Sequence, residues 1–247
     1  VPQRADAERV MRGLTKRPGT RYSALVPNVV GLERALAAGV DEVAVFGAAS
    51  ETFSRRNLNA GIDETFEGFA RVFTAARAAR MPVRAYLSTS FGCPFEGAVP
   101  VARVAELCAR LVDMGAYEVA VSDTIGVAHP GQIPGVLEAV LARLVVGQVA
   151  LHFHDTRGTA VANAFQAAQM GCARFDSSAG GFGGCPYAPG AAGNLATEDL
   201  VYTLHGMGIG TGIELEKLVE AGRIASAIVG RELPGKVLKA GVRSLRG

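Results

Sequence analysis

The chain has 247 residues, 49% of them hydrophobic and 19% charged, with a formal net charge of +2. That length buries a sizeable core in one large α/β domain, and the near-neutral balance gives no electrostatic reason to expect nucleic acid or an anionic membrane. Tryptophan is absent and aromatics are 6%, which argues against a base-stacking surface. No apolar run approaches the roughly 20 residues that a membrane-spanning helix needs.

Residues 5–14 read as the end of an amphipathic helix, closed by Arg17-Pro18-Gly19. A pattern then recurs: a short apolar strand, a loop and a helix. Strands are expected at 21–27, 41–47, 83–90, 117–123, 149–155 and 172–178, and helices in GLERALAAG and over about 63–80, 100–114, 131–144 and 158–170. The stretch AASETFSRRNLN after the second strand reads as a loop. Gly39, Gly115 and Gly171 each follow a helix and precede a strand, where a residue tolerating positive φ ends the helix without strain. Two more helices are expected at 197–208, with Thr197 as N-cap, and at 214–229. A basic tail follows (Arg231, Lys236, Lys239, Arg243, Arg246), which reads as solvated surface.

Near-continuous apolar strands alternating with helices predict a parallel sheet. Most of the strands end in Gly, Ser, Asp or His while the helix-to-strand turns are plain, which places the chemistry at the carboxyl ends of the strands. No G-x-G-x-x-G follows a first strand, so a dinucleotide fold is a weak reading. Six βα units are counted, whereas a closed barrel has eight. The sheet is therefore either open, or the arc of a (β/α)8 barrel whose first two strands and intervening helix lie outside this chain.

His152 and His154 stand two apart in LHFHDT, so a strand presents both imidazoles on one face and Leu151 and Phe153 on the other. Two histidines on one face suit a divalent cation. Asn194, in the glycine-dense segment AGGFGGCPYAPGAAGN, is a candidate oxygen ligand, or else a turn residue after Gly193. A mixed nitrogen and oxygen shell favours Mg²⁺ or Mn²⁺ over a structural zinc. Asp155 has the opposite alternation and reads as a supporting group; Asp123 either faces the site or caps the next turn.

The four cysteines, Cys93, Cys108, Cys172 and Cys185, lack paired zinc spacing, and a disulfide framework is not expected in a chain of this size and kind. Cys108 and Cys172 read as hidden in element interiors, and Cys93 as a structural turn residue. Cys185 lies between glycines, which suits a loop that closes over a ligand. His129 and His205 read as surface groups.

Taken together, NVVGLERALAAGVDEVAVFGAASETFSRRNLN, GCPFEG, SDTIGV, HFHDTRG, GGCPYAPGAAGNLATEDLV and LEKLVEAG resemble the hydroxymethylglutaryl-CoA lyases over essentially the whole chain. The resemblance implies one catalytic TIM-barrel domain over residues 1–247, comprising units three to eight of the barrel. It implies cleavage of 3-hydroxy-3-methylglutaryl-CoA to acetyl-CoA and acetoacetate with Mg²⁺ or Mn²⁺. It makes His152, His154 and Asn194 metal ligands, with Cys185 the loop thiol acting as acid and His152 a proton shuttle. Asn57, Tyr86, Asp123, Thr124 and Glu198 would line the acyl-CoA pocket or support it. It further implies a homodimer, in bacterial cytoplasm or, in a eukaryote, the mitochondrial matrix.

The family begins with a strand ending in Arg-Asp-Gly, and its second strand carries a glutamate. This chain starts after both, and Val1 in place of Met leads us to expect a longer native chain. The competing expectations are a sister aldolase or 2-oxo acid condensing enzyme, against which GGCPYA argues, and an inactive ligand-binding remnant.

Overall fold

The computed structural model describes residues 6–183 and 193–242. Its six strands are β1 (Ser23–Leu25), β2 (Glu42–Ala48), β3 (Val83–Ser88), β4 (Glu118–Asp123), β5 (Val149–Phe153) and β6 (Phe175–Asp176). They pair in parallel in the order β1-β2-β3-β4-β5-β6. Strand order follows chain order without reversal, so the sheet has no switch point of the doubly wound kind. The sheet is a singly wound arc of a (β/α) barrel, with its helices on one face and a hollow on the other.

The helices are α1 (Ala7–Gly13), α2 (Val29–Ala38), α3 (Glu51–Leu58), α4 (Ile62–Ala78), α5 (Val101–Met114), α6 (Ile133–Leu141), α7 (Ala160–Gln169), α8 (Thr197–Gly206), α9 (Leu215–Val229) and α10 (Lys236–Ala240). Among the described residues, no helix is long and apolar enough to cross a membrane.

Each strand divides its residues between two environments. Val43 and Val45, then Val83, Ala85 and Leu87, then Val119 and Val121, then Val149, Leu151 and Phe153 join one apolar core with the helices. On α4 the contribution comes from Phe66, Phe69, Val72 and Phe73, at helical spacing. The alternate positions (Glu42, Arg84, Tyr86, Glu118, Ser122, His152, Asp176) face the hollow. The strands therefore alternate between helix-packed and hollow-facing residues.

All three expected helix exits follow the glycine chemistry, Gly171 (φ 88°) donating to the Ala168 carbonyl at 3.0 Å after α7. Gly39 (φ 73°) and Gly115 (φ 117°) close α2 and α5 in the left-handed region, and their N–H groups return to carbonyls of the last turn.

Several boundaries differ from expectation. The segment expected as a loop holds α3: Ser50 caps it by accepting from the Phe53 N–H at 3.2 Å, Glu51 sits in its first turn, Arg55 and Arg56 in its last, and Asn59 ends it at φ 57°. The sixth strand is two residues rather than seven, and Cys172, though buried, lies in the turn before it. Ala196, not Thr197, is the N-cap of α8, and Thr197 is already helical. Helix α6 is shorter than expected and is preceded by a 3₁₀ turn, Pro130–Gln132.

The basic tail is not all free surface. Lys236 donates to Asp155 at 2.8 Å, and the backbone N–H groups of Lys236 and Val237 donate to the Asp199 carboxylate at 3.0 and 2.6 Å. These contacts bind α10 to the strand-end side of the sheet.

Candidate active site

β5 sets the two histidines. Leu151 and Phe153 are buried against the helices, which turns His152 and His154 toward the hollow, with ring centroids 5.1 Å apart. Beyond the ladder of β5, His154 pairs with Asn194 in an isolated antiparallel bridge, flanked by the bonds Asp155 N–H to Gly193 and Leu195 N–H to Phe153, both 3.0 Å. The chain returning after residue 192 is thereby laid against the end of β5, and Asn194 is brought beside His154. The Asn194 amide nitrogen donates to the Phe182 carbonyl at 2.9 Å, leaving its carbonyl oxygen as the atom suited to ligation.

The glycines here make close approach possible. Gly193 (φ 96°) lies where a Cβ would strike the carbonyls of Gly181 and Gly183, and a Cβ on Gly183 would strike the Asn194 amide. The two arms flanking residues 184–192 are thus pressed together. Cys185 lies outside the described residues.

Burial, with His152 next to it, pushes the His154 imidazole down to about 4, so it is neutral, the ligating form, at physiological pH. The Nδ1 atoms of His152 and His154 are buried with no hydrogen-bond partner. The unpartnered His154 Nδ1 on a ring held neutral, a second imidazole on the same face and an amide oxygen beside them are a donor set that fits a divalent cation. Among the described residues, no cluster of three or more His, Cys, Asp or Glu is placed to hold a metal. Any cation would therefore take oxygen donors beyond the histidines.

The other expected residues fall into two groups. Tyr86 meets His152 edge-on at 6.0 Å between ring centroids, and its hydroxyl accepts from Arg84 at 2.5 Å. Burial and then the Asp176 charge push that hydroxyl up to about 12. Asp123 is buried and caps the turn after β4, accepting from Val127 and Ala128 N–H at 3.0 Å each. Burial raises its carboxyl above the usual range against those bonds. Thr124 accepts from the Thr89 N–H at 3.0 Å, tying the ends of β3 and β4 together.

Glu198 is fully buried, both its oxygens accepting from the Gly180 N–H at 2.9 and 2.8 Å, and burial raises its carboxyl. Asp123, Thr124 and Glu198 thus each accept from backbone N–H groups of the loops beyond the strands. Asn57 is exposed on α3, with no described contact to the histidines. Asp155 accepts from the N–H of Ala160, the first residue of α7, at 3.0 Å.

Cys93, Cys108 and Cys172 are buried free thiols, as expected of structural cysteines. The Cys93 sulfur lies 2.9 Å from Ser50 Oγ and accepts from the Phe95 and Glu96 N–H groups at 3.4 Å each, while burial pushes the Cys108 thiol up to about 12. His129 and His205 are exposed.

Sequence reasoning missed a charged ladder across the hollow. Arg84 on β3 meets Glu118 on β4 at 2.6 Å and Asp176 on β6 at 2.8 Å, and Arg174 reaches Glu118 at 3.0 Å. Arg84 thus reaches from β3 past β4 and β5 to Asp176 on β6. The available signal was one polar residue inside each apolar strand, at the alternation opposite to the core.

The HMGL-like family matches residues 3–225. The mitochondrial hydroxymethylglutaryl-CoA lyase of Rattus norvegicus is 52% identical over 240 residues, 97% of this chain and 74% of that protein. The solved hydroxymethylglutaryl-CoA lyase of Pseudomonas aeruginosa superposes with a TM-score of 0.95 at 46% identity, over 97% of this chain and 80% of that one. An HMG-CoA lyase from Acinetobacter baumannii, solved in complex with coenzyme A and 3-methylmalate, superposes with a TM-score of 0.94 at 34% identity, over 100% of this chain and 81% of that one. With a singly wound arc, a histidine pair at the strand ends and likeness of this extent, the chain belongs to the HMGL-like family, among the hydroxymethylglutaryl-CoA lyases.

Proposed function

We propose that the chain cleaves 3-hydroxy-3-methylglutaryl-CoA to acetyl-CoA and acetoacetate with the help of Mg²⁺ or Mn²⁺, and that it does so as a homodimer. The observation that carries the reading is the pair of imidazoles 5.1 Å apart in the hollow, one of them neutral at working pH.

His152, His154 and the Asn194 oxygen would hold the cation, which when bound supplies Lewis acidity toward a tertiary hydroxyl and its neighbouring carbonyl oxygen. The rest falls to the chain. Cleavage needs a proton removed from the tertiary hydroxyl and a proton delivered to the enolate forming on the thioester side. We assign delivery to the Cys185 thiol, two residues beyond Gly183 in the sequence. Removal of the hydroxyl proton is assigned to His152 as proton shuttle, in the hollow beside His154. Tyr86, packed on His152, and Asp123, behind it, hold the ring's surroundings in place.

Incubating the 247-residue chain with 3-hydroxy-3-methylglutaryl-CoA and Mg²⁺ should yield acetoacetate, and isothermal titration should show Mn²⁺ binding abolished by His154→Ala. Mn²⁺ binding without turnover would support a ligand-binding remnant. Turnover only with a 2-oxo acid and acetyl-CoA would assign the chain to the condensing enzymes. Cys185→Ala should cut turnover by a factor of order 10² while leaving Mn²⁺ affinity nearly unchanged.

A further inference from the structure

Asp176 is the register partner of His152 across the β5–β6 ladder, so the backbone alone sets the two side chains next to each other on the hollow face. Asp176 Oδ2 lies 3.4 Å from His152 Nδ1. Each of those two atoms is buried, and neither has a hydrogen-bond partner. Two unpartnered polar atoms this close form a bond after a small ring rotation, and a buried pair left unbonded is strongly disfavoured. The second Asp176 oxygen is taken by Arg84 at 2.8 Å, and Arg84 is in turn fastened to Glu118 at 2.6 Å and to the Tyr86 hydroxyl at 2.5 Å. Tyr86 closes the circle by packing its ring edge-on to His152. The carboxylate is therefore fixed by strands β3, β4 and β6 together, and the only ring nitrogen it addresses is Nδ1.

We infer that Asp176 is the positioning residue of the cation site: it takes the Nδ1 proton of His152, fixes the tautomer that leaves Nε2 bare, and aims Nε2 into the hollow. A carboxylate behind a ligating imidazole raises its basicity as well as fixing its orientation. The inference rests on the cation-site reading above. The Arg84 ladder holds one Asp176 oxygen in place while the other serves His152. No bond is made or broken in this role; Asp176 acts on substrate only through His152.

The test compares the full chain with Asp176→Asn and, as a control on the same ladder, Glu118→Gln. Long-range ¹⁵N–¹H spectra of histidine-labelled protein at fixed pH read which nitrogen of His152 carries the proton, and calorimetry reads Mn²⁺ affinity. In wild type the proton should sit on Nδ1. Asp176→Asn should disturb that signature, lower Mn²⁺ affinity by about 10- to 100-fold and lower kcat with KM little changed. Glu118→Gln should lower Tm but leave the His152 signature intact and Mn²⁺ affinity within about twofold.

A folded Asp176→Asn with wild-type tautomer and Mn²⁺ affinity overturns the inference, and so does a wild-type spectrum with the proton on Nε2. The wild-type spectrum decides the matter even if Asp176→Asn does not fold. Should wild type bind Mn²⁺ no better than His154→Ala, the cation reading falls separately. The spectrum then still judges the Asp176 contact: Nδ1–H upholds it and Nε2–H sinks it.

Discussion

Arg84 carries a charge inside the sheet with its side chain only 12% exposed, against Glu118 at 6% and Asp176 at 21%. Taking one member from such a set leaves the others as uncompensated buried charges, which costs about 3–5 kcal/mol. Arg84→Ala is therefore expected to lower Tm by on the order of 10 °C in a chain of this length, measured by calorimetry. A change under about 2 °C would mean that water reaches Glu118 and Asp176 once the arginine is gone. The histidines could be read from the sequence because both stand on one short strand and share its alternation. The pairing of Arg84, Glu118 and Asp176 could not, because each has its partners on other strands, and its own neighbourhood marks it only as a polar residue opposite the core. Tyr86 was expected at the pocket, yet its link to Arg84 depends on the same distant contacts.

At the scale of single elements, α3 shows how a helix hides in a loop-like composition. ETFSRRNL has little apolar periodicity, and its ends carry the signal instead: Ser50 caps it and Asn59 closes it. Ser50→Ala should cost about 1 kcal/mol through the lost cap, with a further loss from the Cys93 contact. The short β6 has a different cause. Its pairing to β5 covers only Leu151 with Phe175 and His152 with Asp176, and beyond it Ser178 bridges instead to Ala196. Helix α9 packs against Glu198 at Gly222. A Cβ on Gly222 would strike a Glu198 oxygen, and Glu198 holds the Gly180 N–H. Gly222→Ala should therefore destabilise by about 1–3 kcal/mol through displacement of Glu198, read as a fall in Tm of a few degrees. An unchanged Tm would show that α9 is free to shift away.

Across the whole molecule, the alternation of strand and helix was enough to foresee six parallel units. The choice between open sheet and barrel arc was not readable from periodicity, since both share it; strand order decides it. The C-terminal segment is fastened more by Asp199 than by the more visible Lys236. Lys236 is 66% exposed, so its ion pair with Asp155 is screened by water, and Lys236→Met should change stability by less than about 1 kcal/mol. Asp199 is buried and accepts two backbone N–H groups at the start of α10, so Asp199→Ala should cost about 1–3 kcal/mol. Parallel urea titrations of the two variants check the order, and equal losses would contradict it.

The division of each strand between helix-packed and hollow-facing positions gives an engineer two dials, coupled where a hollow-facing charge such as Arg84 also holds the fold. On β3, Val83, Ala85 and Leu87 belong to the helix-packed core, while Arg84 and Tyr86 belong to the ladder and the histidines. A library that varies only the second set rewrites what the concavity recognises without opening voids under the helices. A library that varies only the first set tunes heat tolerance and leaves recognition untouched.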